Sequence, residues 1–185
     1  MVNPYHLKKD DLPLIVLSDH SSGFIQWAIK WRTKANYNHI MSIVWPGEFV
    51  SQGNRFSAVP FDRYMTKRSR LKFWRIKDLT RDEKTLIKTR VLARLDRKRS
   101  IWNIFFDYDY LGIVGQATGL KFINNPYRTY CVEQVVEDIL TDVIDFEYEK
   151  DGELVKLQKY PAPVDTNIFF DGHPRMEMVG RWAGD

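Results

Sequence analysis

The sequence predicts an α+β fold in which an antiparallel sheet packs against helices that are segregated along the chain. Of the 185 residues, 44% are hydrophobic and 14% are aromatic, which is ample apolar bulk for a folded core. Apolar and helical patterns follow one another in the order strand, helix, several strands, helices and hairpin. A chain of this length is typical of one domain, so we expect one domain over residues 1–185. Its core should cover about residues 11–145, and residues 146–185 should form a hairpin and a packed tail.

The predicted strands are apolar or β-branched runs bounded by turn residues. The first covers residues 13–18 and precedes a helix that Ser21, Ser22 and Gly23 cap and that runs to about Thr33. Residues 39–45 predict a strand, and the turn after it leads into a strand over residues 48–52. Residues 71–76 alternate partly between apolar and polar side chains and predict one more strand.

The second half of the chain has stronger helix signals. Thr80 and Glu83 have the spacing of a capping box, in which each side chain accepts a hydrogen bond from the other's backbone amide. Helices are also predicted over residues 108–118 and from about residue 129 to residue 140. Asp151-Gly152 predicts a turn between strands at residues 146–149 and 154–158. Apolar pieces after residue 161 predict that the tail packs on the domain.

Several classes of protein are excluded or disfavoured by the composition. No apolar run approaches the roughly 18 residues that a membrane-spanning helix needs. The apolar run near the start lacks the cleavage site of a signal peptide, so we expect a cytoplasmic protein, or a virion-associated or holin-released one if it is phage-encoded. The single cysteine excludes an internal disulfide and fits a reducing compartment.

The net charge of +4 is unevenly distributed. Residues 63–99 carry 15 basic and 4 acidic side chains (15 − 4 = +11), whereas residues 132–185 carry 5 basic and 13 acidic ones (5 − 13 = −8). One interpretation is a surface for nucleic acid or another anionic partner, with basic side chains alternating with Phe73 and Trp74. The simpler interpretation is a solvated helix face that packs near the acidic C-terminal part.

The single cysteine and one histidine are the candidate catalytic residues. Cys131 lies at the predicted start of a helix, where backbone amides favour a thiolate and stabilise an oxyanion. Of the four histidines, His39 opens a predicted strand and should lie at the end of the sheet. The other three are less favourably placed: His6, His20 and His173. The spacing shows no metal-ligand signature, and we expect no metal or cofactor.

Several segments match the motifs of one known family in the family's order. Residues 38–44 resemble its histidine strand "s-H-v-g-i-v", and residues 59–64 and 73–76 resemble its pieces "v-p-l-x-x-y" and "v-x-R". Residues 108–112 and 130–135 resemble "Y-D-y-l-g" and the nucleophile helix "y-C-S-E-L-v", and residues 161–165 resemble the proline-plus-aspartate segment that follows it. In these segments the sequence resembles the circularly permuted NlpC-type papain-like cysteine hydrolases, particularly the YiiX/YaeF-like amidases, with lecithin retinol acyltransferase-like enzymes as more distant relatives. The resemblance implies a papain-like antiparallel sheet with packed helices and the nucleophile at a helix N-terminus.

The resemblance implies that Cys131 is the nucleophile and His39 its base. The third polar residue should come from the strand after the histidine. Gln52 is our first choice for it, Ser51 would replace Gln52 after a one-residue change of register, and Glu48 comes third. Tyr108, Asp109 and Tyr130 would line the substrate site. Val132 departs from the family's serine after the cysteine, and Gln134 replaces its usual apolar residue.

The implied reaction is cleavage of an amide, isopeptide or ester bond through a thioester intermediate. Peptide, peptidoglycan stem peptide and lipid amides or esters are the expected substrates. Two alternatives remain open at this stage. One is a nucleic-acid or anionic-surface binding module that uses the basic segment 63–99. The other is a catalytically inactive relative with a structural role.

Overall fold

The computed structural model describes residues 3–19, 37–52, 56–96, 131–157 and 163–184. Statements about the structure concern these residues. The helices predicted over residues 21–33 and 108–118 lie outside the described residues, and so do Tyr108, Asp109 and Tyr130.

A six-stranded sheet forms the centre of the described structure, and all of its neighbouring strands are antiparallel. Its spatial order is β4-β3-β2-β1-β5-β8. The strand bounds are β1 Leu14–Asp19, β2 His39–Ile43, β3 Glu48–Gln52, β4 Phe56–Pro60, β5 Arg70–Ile76 and β8 Met176–Ala183. The predicted α+β class with an antiparallel sheet is therefore confirmed.

A separate hairpin consists of β6 (Glu147–Lys150) and β7 (Glu153–Lys156). Asp151 and Gly152 connect its strands, with φ angles of 55° and 82°. Both values lie in the left-handed region that a two-residue turn of this kind requires, so the Asp-Gly pair fits its position. The hairpin predicted from this dipeptide is confirmed, with strand boundaries shifted by one or two residues.

Three helices flank the sheet within the described residues. Helix α1 (Arg81–Leu95) begins at the predicted capping box and buries Ile87 and Val91. Helix α2 covers Cys131–Val135 and continues as a π-helix over Val136–Leu140. Helix α3 covers Pro163–Gly172. Short 3₁₀ turns lie at Pro4–His6, Lys9–Asp11 and Phe61–Arg63.

The two faces of the sheet carry different cores. We call the face that packs on α2 and α3 the helical face; its buried side chains include Ile15, Leu17, Ile40 and Trp74. The opposite face buries Val16, Met41, Phe49, Phe61 and Phe73. Adjacent strand residues alternate between these two cores, because successive side chains of a strand point to opposite sides. A difference of one residue in the sequence therefore changes the environment of a side chain completely.

Candidate active site

His39 is the first residue of β2 and lies half-buried at the end of that strand. Its Nε2 atom is 2.7 Å from the hydroxyl of Ser51 on β3. The register explains this contact. Ser42 pairs with Val50, so Ser51 lies diagonally across from His39. Both side chains are on the face of the sheet that lies opposite the helical face. Ser51 is buried, so the hydrogen bond fixes the imidazole from a sheltered position.

Tyr64 completes a cluster of three polar side chains with His39 and Ser51. It follows the 3₁₀ turn Phe61–Arg63, and its hydroxyl lies 3.0 Å from the Ser51 hydroxyl and 3.4 Å from Nε2 of His39. The Tyr64 and His39 rings are stacked, with centroids 5.5 Å apart and planes inclined by 17°. The imidazole is therefore held both at its ring face and at Nε2.

Cys131 lies on α2, which packs against β2 and β3. The side chain is 3% exposed and belongs to the apolar core on the helical face. Such surroundings disfavour an isolated thiolate, so the charged form needs a cationic partner.

The electrostatics of Tyr64 connect Cys131 with the histidine cluster. Burial raises the pKa of the Tyr64 phenol, the hydrogen bond from Ser51 lowers it, and the charge of a Cys131 thiolate raises it again. The sulfur of Cys131 is therefore close enough to act electrostatically on a hydroxyl that also contacts His39.

Ser51, the alternative that a one-residue change of register favours, is hydrogen-bonded to the His39 ring. The choice of the third residue among Gln52, Ser51 and Glu48 stays a prediction. Gln52 is buried, but the alternation of β3 places it on the helical face, away from the face of Ser51. Glu48 accepts a hydrogen bond of 2.7 Å from the indole of Trp45.

Tyr64 is not among the site residues predicted from the sequence, although a motif resemblance pointed to it. Tyr64 is the last residue of the segment that resembles "v-p-l-x-x-y". Its distance of 25 positions from His39 gives no hint of contact. Only the fold of β3, β4 and the following 3₁₀ turn brings the tyrosine back to the start of β2.

Part of the basic segment 63–99 is built into the fold. Phe73 and Trp74 are core residues, so in this structure they offer no surface on which nucleic-acid bases could stack. Arg75, Arg90 and Arg94 pair with acidic residues of the C-terminal part, as the simpler interpretation of the charge pattern expects.

A metal-binding group of side chains and a membrane-spanning helix are both absent from the described part of the chain. No three His, Cys, Asp or Glu side chains are grouped so that they would hold a metal ion. No helix there combines the length and apolar character of a membrane span.

The described residues form an α+β fold with a large antiparallel sheet, which is consistent with a papain-like fold. No protein-family model and no curated protein matches the sequence. Among solved structures, the chain is similar to the crystal structure of the metalloprotein YiiX from Escherichia coli O157:H7, designated DUF1105. The TM-score is 0.58 at 13% sequence identity, over 92% of this chain and 96% of that chain. At this identity the similarity establishes a YiiX-like fold.

Proposed function

We propose that this protein is a thiol hydrolase in which Cys131 and His39 form the catalytic pair. The observation that carries the proposal is the pair's common neighbour. The Tyr64 hydroxyl contacts the His39–Ser51 unit, and a negative charge on the Cys131 sulfur would raise the pKa of the same hydroxyl. The YiiX-like fold and the packing of α2, which carries Cys131, against β2 and β3 add support.

In the proposed reaction, the Cys131 thiolate attacks the carbonyl carbon of the substrate. The oxyanion is stabilised by the Cys131 backbone amide and a neighbouring donor, and the His39 imidazolium protonates the leaving amine or alcohol. Water, deprotonated by the now neutral imidazole, then hydrolyses the thioester and restores the thiolate. We assign Nδ1 of His39 to the proton transfers, since Nε2 is engaged by Ser51.

We assign the orientation of the ring to Ser51 rather than to Gln52, because Ser51 touches Nε2 from the same face of the sheet. A serine contributes no charge, so the imidazolium depends on the thiolate itself for ionic stabilisation. The proposed substrate class is an amide, isopeptide or ester. Within this class, the resemblance to NlpC-type hydrolases implies peptidoglycan stem peptides and lipid-linked amides or esters.

The first test measures whether Cys131 is an activated thiol. Iodoacetamide should label the protein at pH 6 faster than a model thiol of ordinary pKa, because a paired cysteine is already a thiolate at that pH. The chain has one cysteine, so every label reports on Cys131. A rate at or below that of the model thiol would contradict activation.

The second test uses substitutions and the turnover of p-nitrophenyl acetate as a general acyl donor. Cys131→Ala and His39→Ala should each reduce hydrolysis to background, by at least about a hundredfold. His6→Ala is the matched control, because His6 is exposed and lies in a 3₁₀ turn outside the cluster. Retained turnover in either catalytic variant, with thermal unfolding unchanged, would disprove the pairing.

A further inference from the structure

We propose that Tyr64 is a positioning residue that fixes both the orientation and the tautomer of the His39 imidazole through Ser51. This inference rests on the proposed function, because it concerns the same catalytic pair. It assigns a role to a side chain outside the pair and its direct partner.

The first part of the role is mechanical. A strand-end imidazole can rotate about its side-chain bonds unless its ring face and one nitrogen are both held. Tyr64 stacks on the ring at 5.5 Å, and Ser51 engages Nε2 at 2.7 Å. Tyr64 is itself braced, because Phe49 meets its ring edge-on at 5.9 Å and its backbone amide donates to the carbonyl of Phe61. These contacts anchor Tyr64, and through it the imidazole, in the core on the face opposite the helical face.

The second part concerns the hydrogen atoms. If Nδ1 exchanges protons with the sulfur and the leaving group, Nε2 must carry its hydrogen throughout the reaction. Ser51 must then accept that hydrogen, although a serine hydroxyl can equally donate to a bare Nε2 and so favour the wrong tautomer. The Tyr64 oxygen lies 3.0 Å from the Ser51 oxygen and can take the serine hydrogen. Ser51 is then left with lone pairs for Nε2–H.

The direct contact of Tyr64 with the imidazole nitrogen is the longer of the two. Its oxygen lies 3.4 Å from Nε2, against 2.7 Å for the Ser51 oxygen, so Ser51 accepts the Nε2 hydrogen and Tyr64 acts on the tautomer through Ser51. Burial raises the pKa of the phenol, which keeps Tyr64 neutral over the range in which a cysteine hydrolase works. The side chain thus contributes hydrogen bonds and ring contact without adding a charge.

The test compares Tyr64→Phe, Ser51→Ala and the double variant. Tyr64→Phe keeps the stacked ring and removes the hydroxyl. We expect kcat for p-nitrophenyl acetate to fall about three- to tenfold with KM unchanged, the effect of one lost hydrogen bond in the site. The acid limb of the iodoacetamide rate profile should move to higher pH, because a misaligned imidazolium stabilises the thiolate less.

The double variant separates positioning from a general loss of structure. If Tyr64 acts through Ser51, Tyr64→Phe in the Ser51→Ala background should cause little further loss, whereas independent effects would multiply. Tyr148→Phe is the matched control, since that buried tyrosine donates to the carbonyl of Phe169 and takes no part in the cluster. It should leave kcat and the pH profile unchanged.

The outcomes distinguish this inference from the proposed function. An ordinary thiol reactivity of Cys131 in the unmodified protein would overturn the proposed function and this inference with it. A reactive Cys131 whose kcat and pH profile are unchanged in Tyr64→Phe would overturn this inference alone. If Tyr64→Phe lowers thermal stability, Ser51→Ala still has to reproduce the shifted acid limb, and its failure to do so would also overturn the inference.

Discussion

At the scale of single residues, the face of the sheet on which a side chain lies determines which neighbouring side chains it can contact. Ser51 and Gln52 are adjacent in β3, and both are buried. The register of one pair, Ser42 with Val50, nevertheless assigns Ser51 to the face of the His39 contact. The sequence alone does not fix this register, because β3 has polar residues at both ends and apolar residues at its centre, and so neither face of the strand is marked as the buried one.

A second histidine provides a prediction for stability rather than activity. His173 is buried beside Tyr148 and Phe169, and its Nδ1 accepts from the backbone amide of Arg175 at 3.1 Å. Its Nε2 therefore carries the hydrogen and donates to the carbonyl of Asp145 at 3.0 Å. Burial lowers the pKa of His173 from 6.5, and the nearby cations Arg175 and Lys77 lower it further against the opposing effect of Asp145.

The consequence is a loss of stability in mild acid. Below about pH 6.5 the unfolded chain binds a proton at this histidine while the folded chain resists it, so the free energy of unfolding falls as the pH decreases. The slope from one such group reaches at most about 1.4 kcal/mol per pH unit. Urea unfolding between pH 7.5 and 5 should show a steeper decline for the unmodified protein than for His173→Gln. His6→Gln should keep the steep decline, and parallel curves for all three proteins would refute the assignment.

At the scale of elements, the start of α1 follows directly from its sequence. The Glu83 amide donates to the Thr80 hydroxyl at 3.2 Å, and the Thr80 amide donates to the Glu83 carboxylate at 2.7 Å. The same carboxylate accepts from Arg175, which ties the helix start to the residue before β8. The hydrogen bond from Arg175 is the main reason that the pKa of Glu83 is lowered.

Removal of this cap should destabilise the protein by a predictable amount. Thr80→Ala should lower the free energy of unfolding by about 1 kcal/mol, the usual cost of losing an N-cap side chain. Thr85→Ala is the matched control inside the same helix, where alanine has the higher helix propensity. Denaturant unfolding should therefore show a loss for Thr80→Ala and little loss or a small gain for Thr85→Ala. Equal losses at both positions would mean that the cap contributes nothing specific.

Elements with strong local signals were predictable, and elements that depend on distant partners were not. The capping box of α1 and the Asp-Gly hairpin each contain their own start and stop signals. By contrast, β8 has Gly180 in its interior and a mostly exposed pattern, so nothing local marks it as a strand. It exists because β5 offers a free edge, with which it pairs from Arg70 to Ile76. The same limit applies to Tyr64, whose contact with His39 depends on two intervening elements.

At the scale of the whole molecule, ion pairs join the basic segment 63–99 to the acidic C-terminal residues 132–185. Arg94 of α1 contacts Glu137 and Asp138 at 2.6 and 2.8 Å, and Arg90 contacts Asp142. Asp138 also accepts from the buried amide of Gln134, one turn after Cys131 on α2. A polar chain thus runs from the basic helix to the helix that carries the candidate nucleophile. This arrangement gives the side-chain amide of Gln134 a hydrogen-bond partner, at a position where the resemblance to NlpC-type hydrolases implies an apolar residue.

The location of each ion pair sets its contribution. The Arg94 and Asp138 side chains are 18% and 7% exposed, whereas those of Arg75 and Glu177 are 40% and 45% exposed. Loss of one partner of a buried pair leaves an uncompensated charge, so Arg94→Met should cost about 3 kcal/mol in the free energy of unfolding. Arg75→Met should cost less than about 1 kcal/mol, because solvent screens that pair.

A second substitution distinguishes the effect of the unpaired Asp138 carboxylate from the effect of packing lost with the Arg94 side chain. Asp138→Asn, added to Arg94→Met, removes the orphaned carboxylate and should recover part of the stability, while it should gain nothing when added to Arg75→Met. Urea unfolding of the four variants at pH 7 measures these differences. If the two arginine variants lose equal stability, or if Asp138→Asn fails to recover any of the loss, then the buried charges do not hold the two halves of the chain together.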